Sequence, residues 1–273
     1  MLSATHFKSC QIYQLKKILV VILHIALGVF LLGGCVSVAP QKASPQEIME
    51  ANVNLSAEYY RLGRLEPALV AAKKAVAADA ESVSANLMLG LIYQALDEPR
   101  LAEEYYSNAI AFVDEDKGEF GRVHNNYAVF LCQNNRLPEA ETHFLLAAKN
   151  KLYATPNRAY ENAGICLLKN GKSDEAAVFF RKALVLAPNM PRALFELAKI
   201  QYNAEKYAEA SAYFRRYHAI TQGSVQSLSM AMIAAHKSGA TEQALAIKTE
   251  LKKRFPDSQE VNRVAPVGLT GNE

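Results

Sequence analysis

The sequence predicts an all-α fold, a superhelix of about six stacked helix–turn–helix repeats. Three observations predict it. Alanine returns after a turn at Ala68, Ala102, Ala140, Ala176, Ala210 and Ala244, at spacings of 34, 38, 36, 34 and 34 residues. Other slots keep the same register: Leu89-Gly90, Ala163-Gly164 and Leu197-Ala198 before the turn, then Tyr106, Phe144, Phe180 and Phe214, then Ala75, Ala109, Ala147 and Ala183. The chain has no Trp, is rich in Ala, Leu and Tyr, and places Pro and Gly at segment ends. A period of 34 residues is the length of the tetratricopeptide repeat, in which a small residue lets the second helix lie close on the first.

Taken in order, the chain opens with a targeting segment. Lys8, Lys16 and Lys17 precede an apolar run from Ile18 to Leu32, and Leu32-Gly33-Gly34-Cys35 follows. Basic region, short apolar region, small residues and cysteine are the layout of a bacterial lipoprotein signal peptide. That layout predicts export, removal of residues 1–34 and a lipid on Cys35. At 15 residues, broken by His24 and Gly28, the apolar run is short for a spanning helix, which needs about 20. Residues 35–46, with Pro40, Gln41, Lys42, Ser44 and Pro45, read as a flexible lipidated tether.

The repeat domain spans 47–256, with repeats starting near Met49, Val83, Gly121, Asn157, Pro191 and Val225. Gly63, Gly171 and Gly239 share one repeat position and suit a helix C-cap. Pro188 and Pro256 close repeats four and six, because the residue before proline is pushed out of the helical region. Extra residues around Asp114–Phe120 and Tyr153–Pro156 lengthen two turns without breaking register. From 257 to 273 helical periodicity fades, and a mobile tail is expected.

Charge excludes one class of partner. The formal net charge of +3 rests on 30 basic and 27 acidic residues. Residues 1–34 hold three lysines and no acid, so removing them leaves 27 of each. A neutral mature chain has no electrostatic footprint for nucleic acid.

Motifs for chemistry fail one by one, and no enzyme, metal site, cofactor or small-molecule substrate is expected. Gly171-Lys172-Ser173 resembles the end of a phosphate-binding loop, but that pattern requires Gly where Cys166 stands. It reads as a helix–helix turn capped by Ser173 or Asp174. His124, His143, His218 and His236 are scattered without metal-ligand spacing. Cys132 and Cys166, 34 residues apart, occupy near-equivalent slots of the first helices of repeats three and four. Packed neighbouring helices can bring such slots to disulfide distance, and an oxidising compartment lets the bond persist. Two buried free thiols are the alternative.

Stacked first helices form a concave wall suited to an extended or helical partner segment. Slot geometry nominates Leu87, Leu91, Val129, Ile165 and Phe195 as an apolar strip. Arg122, Arg158 and Arg192 flank it, with Asn125, Asn162 and Lys199 nearby.

At His124-Asn125-Asn126-Tyr127-Ala128-Val129-Phe130-Leu131-Cys132 and Asn162-Ala163-Gly164-Ile165-Cys166, the chain resembles the type IV pilus biogenesis lipoproteins, the PilF/PilW family of pilotins. The resemblance runs over nearly all of the mature chain. It implies an outer-membrane lipoprotein facing the periplasm that promotes localisation and multimerisation of the secretin, so PilQ-like secretin subunits are the expected partner. Val36, not Asp, follows Cys35, in keeping with the outer-membrane sorting that the resemblance implies. One departure is Gln201, which stands in the aromatic slot of repeat five beside Tyr202. Two other roles stay open: a lipoprotein of the outer-membrane protein insertion machinery, and a recruiter or activator of an envelope hydrolase.

Overall fold

The computed structural model describes residues 42–258. The predicted signal peptide, Cys35, the tether up to residue 41 and residues 259–273 of the tail lie outside the described residues. The chain divides into two units, residues 1–44 and 45–273, and the second carries the repeats. Among the described residues all regular structure is helical, in twelve helices. Repeat one is α1 (Pro45–Arg61) and α2 (Leu65–Ala78), and repeat two is α3 (Val83–Ala95) and α4 (Pro99–Phe112). Repeat three is α5 (Gly118–Gln133) and α6 (Leu137–Lys149), and repeat four is α7 (Pro156–Lys169) and α8 (Ser173–Leu186). Repeat five is α9 (Pro191–Asn203) and α10 (Tyr207–His218), and repeat six is α11 (Val225–Lys237) and α12 (Thr241–Arg254).

Four of the twelve described helices, α1, α4, α7 and α9, start at a proline. The first helix begins at Pro45, inside the stretch read from sequence as tether, and α7 begins at Pro156. Proline's fixed φ suits the first helical turn, where its missing N–H costs nothing. The turn within each repeat is the same structure six times over. Gly63, Asp97, Asn135, Gly171, Glu205 and Gly239 all have φ between 57° and 82°. In each case the following N–H donates back to the helix: Arg64 to Tyr59, Glu98 to Tyr93, Arg136 to Leu131, Lys172 to Leu167, Lys206 to Gln201 and Ala240 to Ala235, all at 2.8–2.9 Å. This is the C-terminal cap in which a left-handed residue closes the helix. Sequence reasoning found the three glycine turns; the other three use Asp, Asn and Glu in the same conformation. In the turn after α7, Lys172 occupies the N-cap of α8 without a side-chain cap, so neither Ser173 nor Asp174 caps it. The turn is set from the α7 side by Gly171.

Within a repeat, the helices meet where a small residue faces a ring. Gly90 lies under Tyr106 and Gly164 under Phe180; a Cβ on Gly164 would stand 2.8 Å from the Phe180 ring. Ala128 and Ala198 hold the equivalent positions in repeats three and five, with Phe144 and Phe214 buried opposite. The end repeats differ. Repeat one has Ser56, whose hydroxyl donates to the Ala68 carbonyl at 2.9 Å, and repeat six has the buried Met232. Terminal units of a repeat array have only one neighbour and depart from the pattern accordingly. Gln201, the departure noted in the sequence, is buried. With its amide oriented to donate to Glu209 and accept from Arg181, 3.1 Å each, it ties α9 to α8 and α10 by polar contacts. The two lengthened turns support each other: Asn150 Nδ2 donates to the Glu115 carbonyl at 2.8 Å.

Replacing Gly164 with Ala should destabilise the array by about 1–2 kcal/mol in urea unfolding. Overpacking a filled core costs about 1–3 kcal/mol, against a helix-propensity gain of up to about 1 kcal/mol. The Phe180 ring has no exposed surface to retreat into, so the steric cost dominates. Stability equal to or above wild type would show that the contact is not tight.

Candidate functional site

The first helices α3, α5, α7 and α9 carry the residues that sequence reasoning placed on the concave wall, and side chains link successive helices along it. Ser84 Oγ on α3 donates to Glu119 Oε1 on α5 at 2.7 Å. Arg122 Nη2 donates to both Ser84 Oγ, at 3.0 Å, and Glu119, at 2.5 Å. Gln94 Nε2 donates to Gln133 Oε1 at 2.7 Å. Asn162 Nδ2 on α7 donates to Asn125 Oδ1 on α5 at 3.0 Å. Cys132 and Cys166 join the same two helices: their Cα atoms are 5.9 Å apart and their sulfurs are in bonding contact. The Asn125–Asn162 bond and the cysteine contact therefore hold α5 and α7 side by side.

Beyond α7 the wall opens. A cleft of about 560 Å³ lies between α7 and α9, with Ile165, Leu168 and Ile200 as its apolar lining, Lys169, Arg192 and Lys199 as its cations, and Asp174 and Glu196 as its carboxylates. A smaller cleft of about 180 Å³ adjoins it between α5 and α7, lined by Val129, Asn162, Cys132 and Cys166 among others. Ile165, Lys169 and Arg192 line both clefts.

The nominated residues divide accordingly. Val129, Asn162 and Ile165 meet in the smaller cleft, and Ile165 and Lys199 in the larger. Leu87 is a correction: it is 3% exposed and belongs to the core of repeats one to three. Its slot faces inward because neighbouring first helices pack closely there. Leu91 is half-buried against that core, and Asn125 is buried beneath its bond to Asn162. Arg122 is engaged by Glu119, and Arg158 pairs with the buried Glu161 at 3.3 Å. Phe195 is half-buried, 5.2 Å from Tyr217 and 6.3 Å from Phe214 between ring centres. Lys199 lies over it at 5.3 Å and pairs with Glu196 at 3.1 Å. Sequence reasoning did not nominate Leu168, which stands in the last groove slot of α7, or Lys169, one residue past it. The lysine following an apolar pair was the available signal.

Two histidines counted as scattered in the sequence are brought together. His124 Nδ1 and His143 Nδ1 are 2.6 Å apart, with the Phe120 ring 4.1 Å from that of His124 and the Tyr127 ring edge-on to His143 at 4.8 Å. At that distance one neutral ring donates to the other, and a second proton would meet a like charge. Burial, and then the neighbouring His143, pushes His124 down to about 4. Burial, and then the Arg136 charge, lowers His143, while Glu139 opposes. Among the described residues no group of three or more His, Cys, Asp or Glu could hold a metal ion, and no helix is long and apolar enough to cross a membrane.

Tetratricopeptide-repeat models match residues 83–112 and 167–233. The chain is 30% identical over 234 residues to the type IV pilus assembly protein PilF of Pseudomonas aeruginosa, covering 84% of this chain and 91% of PilF. The chain belongs to the PilF family. The solved structure of Pseudomonas aeruginosa PilF matches with a TM-score of 0.67 at 30% identity, over 81% of this chain and 98% of that one. PilW, described as a widely conserved type IV pilus biogenesis factor, matches with a TM-score of 0.64 at 28% identity, over 80% of this chain and 99% of its own. PilF-family membership and the repeat superhelix are thus established together. Repeat arrays of this kind bind other proteins on an extended concave surface.

The histidine pair makes stability depend on pH with a definite sign. Both folded values lie below the unfolded value near 6.5, so the unfolded chain binds more protons in between. The stabilisation is complete above about pH 6.5 and is lost as pH falls through that value towards 4. Urea unfolding should show a loss of at least about 1.4 kcal/mol over that interval, reduced in His143→Phe. An equally steep loss in the variant would assign the effect elsewhere.

Proposed function

We propose that this chain is a lipid-anchored, non-enzymatic scaffold of the pilotin kind, which promotes localisation and multimerisation of secretin subunits at the outer membrane. One observation carries the reading: the chain is similar to PilF along nearly the full length of both proteins. The first-helix wall with its open cleft, apolar and charged, supports it. In this reading residues 1–34 are removed and Cys35 bears the lipid. Each buried CH₂ of an acyl chain contributes about 0.8 kcal/mol of membrane affinity, so several chains hold the protein stably. The wall grips secretin subunits, and the tether raises their local concentration at the bilayer.

The Cys132–Cys166 contact is a disulfide in the exported protein in this reading. It closes a 34-residue separation and adds about 2–4 kcal/mol. Recovery of both cysteines as free thiols from the exported protein would count against it.

Deleting the chain should abolish secretin multimers in outer-membrane fractions while porin assembly stays normal. Cys35→Ala should leave a folded protein that supports few such multimers. Unchanged multimers in the deletion strain would refute the scaffold role, and full multimer localisation with Cys35→Ala would refute the role of the anchor.

A further inference from the structure

The cleft between α7 and α9 has a charge distribution that the fold itself does not use. Lys199 is satisfied by Glu196 at 3.1 Å and by the face of Phe195. Asp174 lies in the first turn of α8, where the helix N-terminus favours a negative charge without a paired cation. Lys169 and Arg192 differ. Both are exposed, both line the larger and the smaller cleft, and neither has an ion pair or hydrogen bond in the structure. The other arginines of this wall contrast with them: Arg122 is engaged by Glu119 and Arg158 by Glu161. Two unpaired cations thus stand where the clefts meet, beside the apolar side chains of Ile165, Leu168 and Ile200.

We propose that the α7–α9 cleft docks a short partner-protein segment that is apolar on one side and acidic on the other, its carboxylates pairing with Lys169 and Arg192 while its apolar side chains cover Ile165, Leu168 and Ile200. Charge complementarity selects this occupant. Arginine offers a planar fork that matches a carboxylate bidentately, and lysine adds a mobile point charge. A purely apolar segment would leave both cations without partners, and a basic segment would be repelled. Nucleic acid would require a basic field, whereas the mature chain carries as many acids as bases. The Asn125–Asn162 bond and the cysteine contact hold α7 against α5, so one wall of the site is fixed before a partner arrives. The inference rests on the scaffold reading for the kind of partner, and on the cleft alone for its chemistry.

The test uses the full lipidated chain in detergent and three labelled peptides of about twelve residues, alternating Leu with Glu, with Gln or with Lys. The Leu/Glu peptide should bind and the other two should bind at least about tenfold more weakly. The double variant Lys169→Glu/Arg192→Glu should reverse the order, weakening Leu/Glu and gaining Leu/Lys. Both positions are exposed, so a thermal melt matching wild type is expected and establishes that the variant is folded. Equal binding of the Glu and Gln peptides, or an unchanged preference in the variant, would overturn the proposal. So would displacement of the Leu/Glu peptide by soluble dihexanoyl-phosphatidylglycerol, which would assign the cations to a lipid headgroup. In cells, the double variant should lose secretin multimers as the deletion does. Normal multimers with the double variant but none in the deletion strain would overturn the cleft proposal while leaving the scaffold reading in place. If the deletion itself leaves multimers intact, the scaffold reading falls, and the peptide measurements alone decide the cleft.

Discussion

The contact between a small residue on one helix and an aromatic ring on the next is the constraint from which the array follows. Gly90 under Tyr106 and Gly164 under Phe180 let two backbones approach to a distance that a side chain would forbid. Once that approach is fixed, each helix pair has a defined angle and exposes apolar faces that only a neighbouring pair can cover. The left-handed cap that closes each first helix then sets where the second one starts. Six copies of the same cap and four of the same ring contact impose one geometry on sequences that otherwise differ. Where the ring is missing, in the two end repeats, the substitute is legible: the Ser56 hydroxyl donates to the Ala68 carbonyl, and the buried Met232 fills the space itself.

The cleft proposed as a docking site lies where this regularity loosens. Between α5 and α7, the Asn125–Asn162 bond and the cysteine contact close the first-helix wall. Between α7 and α9 the side-chain link among the described residues is a long one, Asn157 Nδ2 donating to Met190 Sδ at 3.5 Å just ahead of α9, and beyond it the wall opens into the larger cleft. The buried apolar clusters meet at α7, whose Cys166 belongs with α3 and α5 and whose Leu167 belongs with α9. A rigid front half beside an open cleft is a reasonable arrangement for holding a partner segment, because the partner orders few groups on the stapled side.

Much of this was legible in the sequence, for reasons that explain the rest. The ring and alanine slots recur at fixed spacing, so the fold and the start of each repeat could be read to within about four residues. Turns carried by glycine were visible, whereas those at Asp97, Asn135 and Glu205 were not, because those residues adopt the left-handed conformation only when the turn demands it. Slot geometry nominated Val129 and Ile165, which line one cleft together with Asn162. It misplaced Leu87, because how tightly consecutive first helices pack depends on contacts distant in sequence. The same blindness hid Lys169 and the meeting of His124 with His143, whose 19-residue separation carries no local pattern.

The central claim is that the first-helix wall, and not the outer face of the second helices, holds the secretin subunit. Site-specific photo-crosslinking in intact cells addresses it most directly, with a photoreactive residue placed at Ile165 in the cleft or at the exposed Val178 on α8. An adduct containing a secretin subunit from position 165, and none from 178, is the result the account predicts. Secretin adducts from position 178 with none from 165 would contradict it.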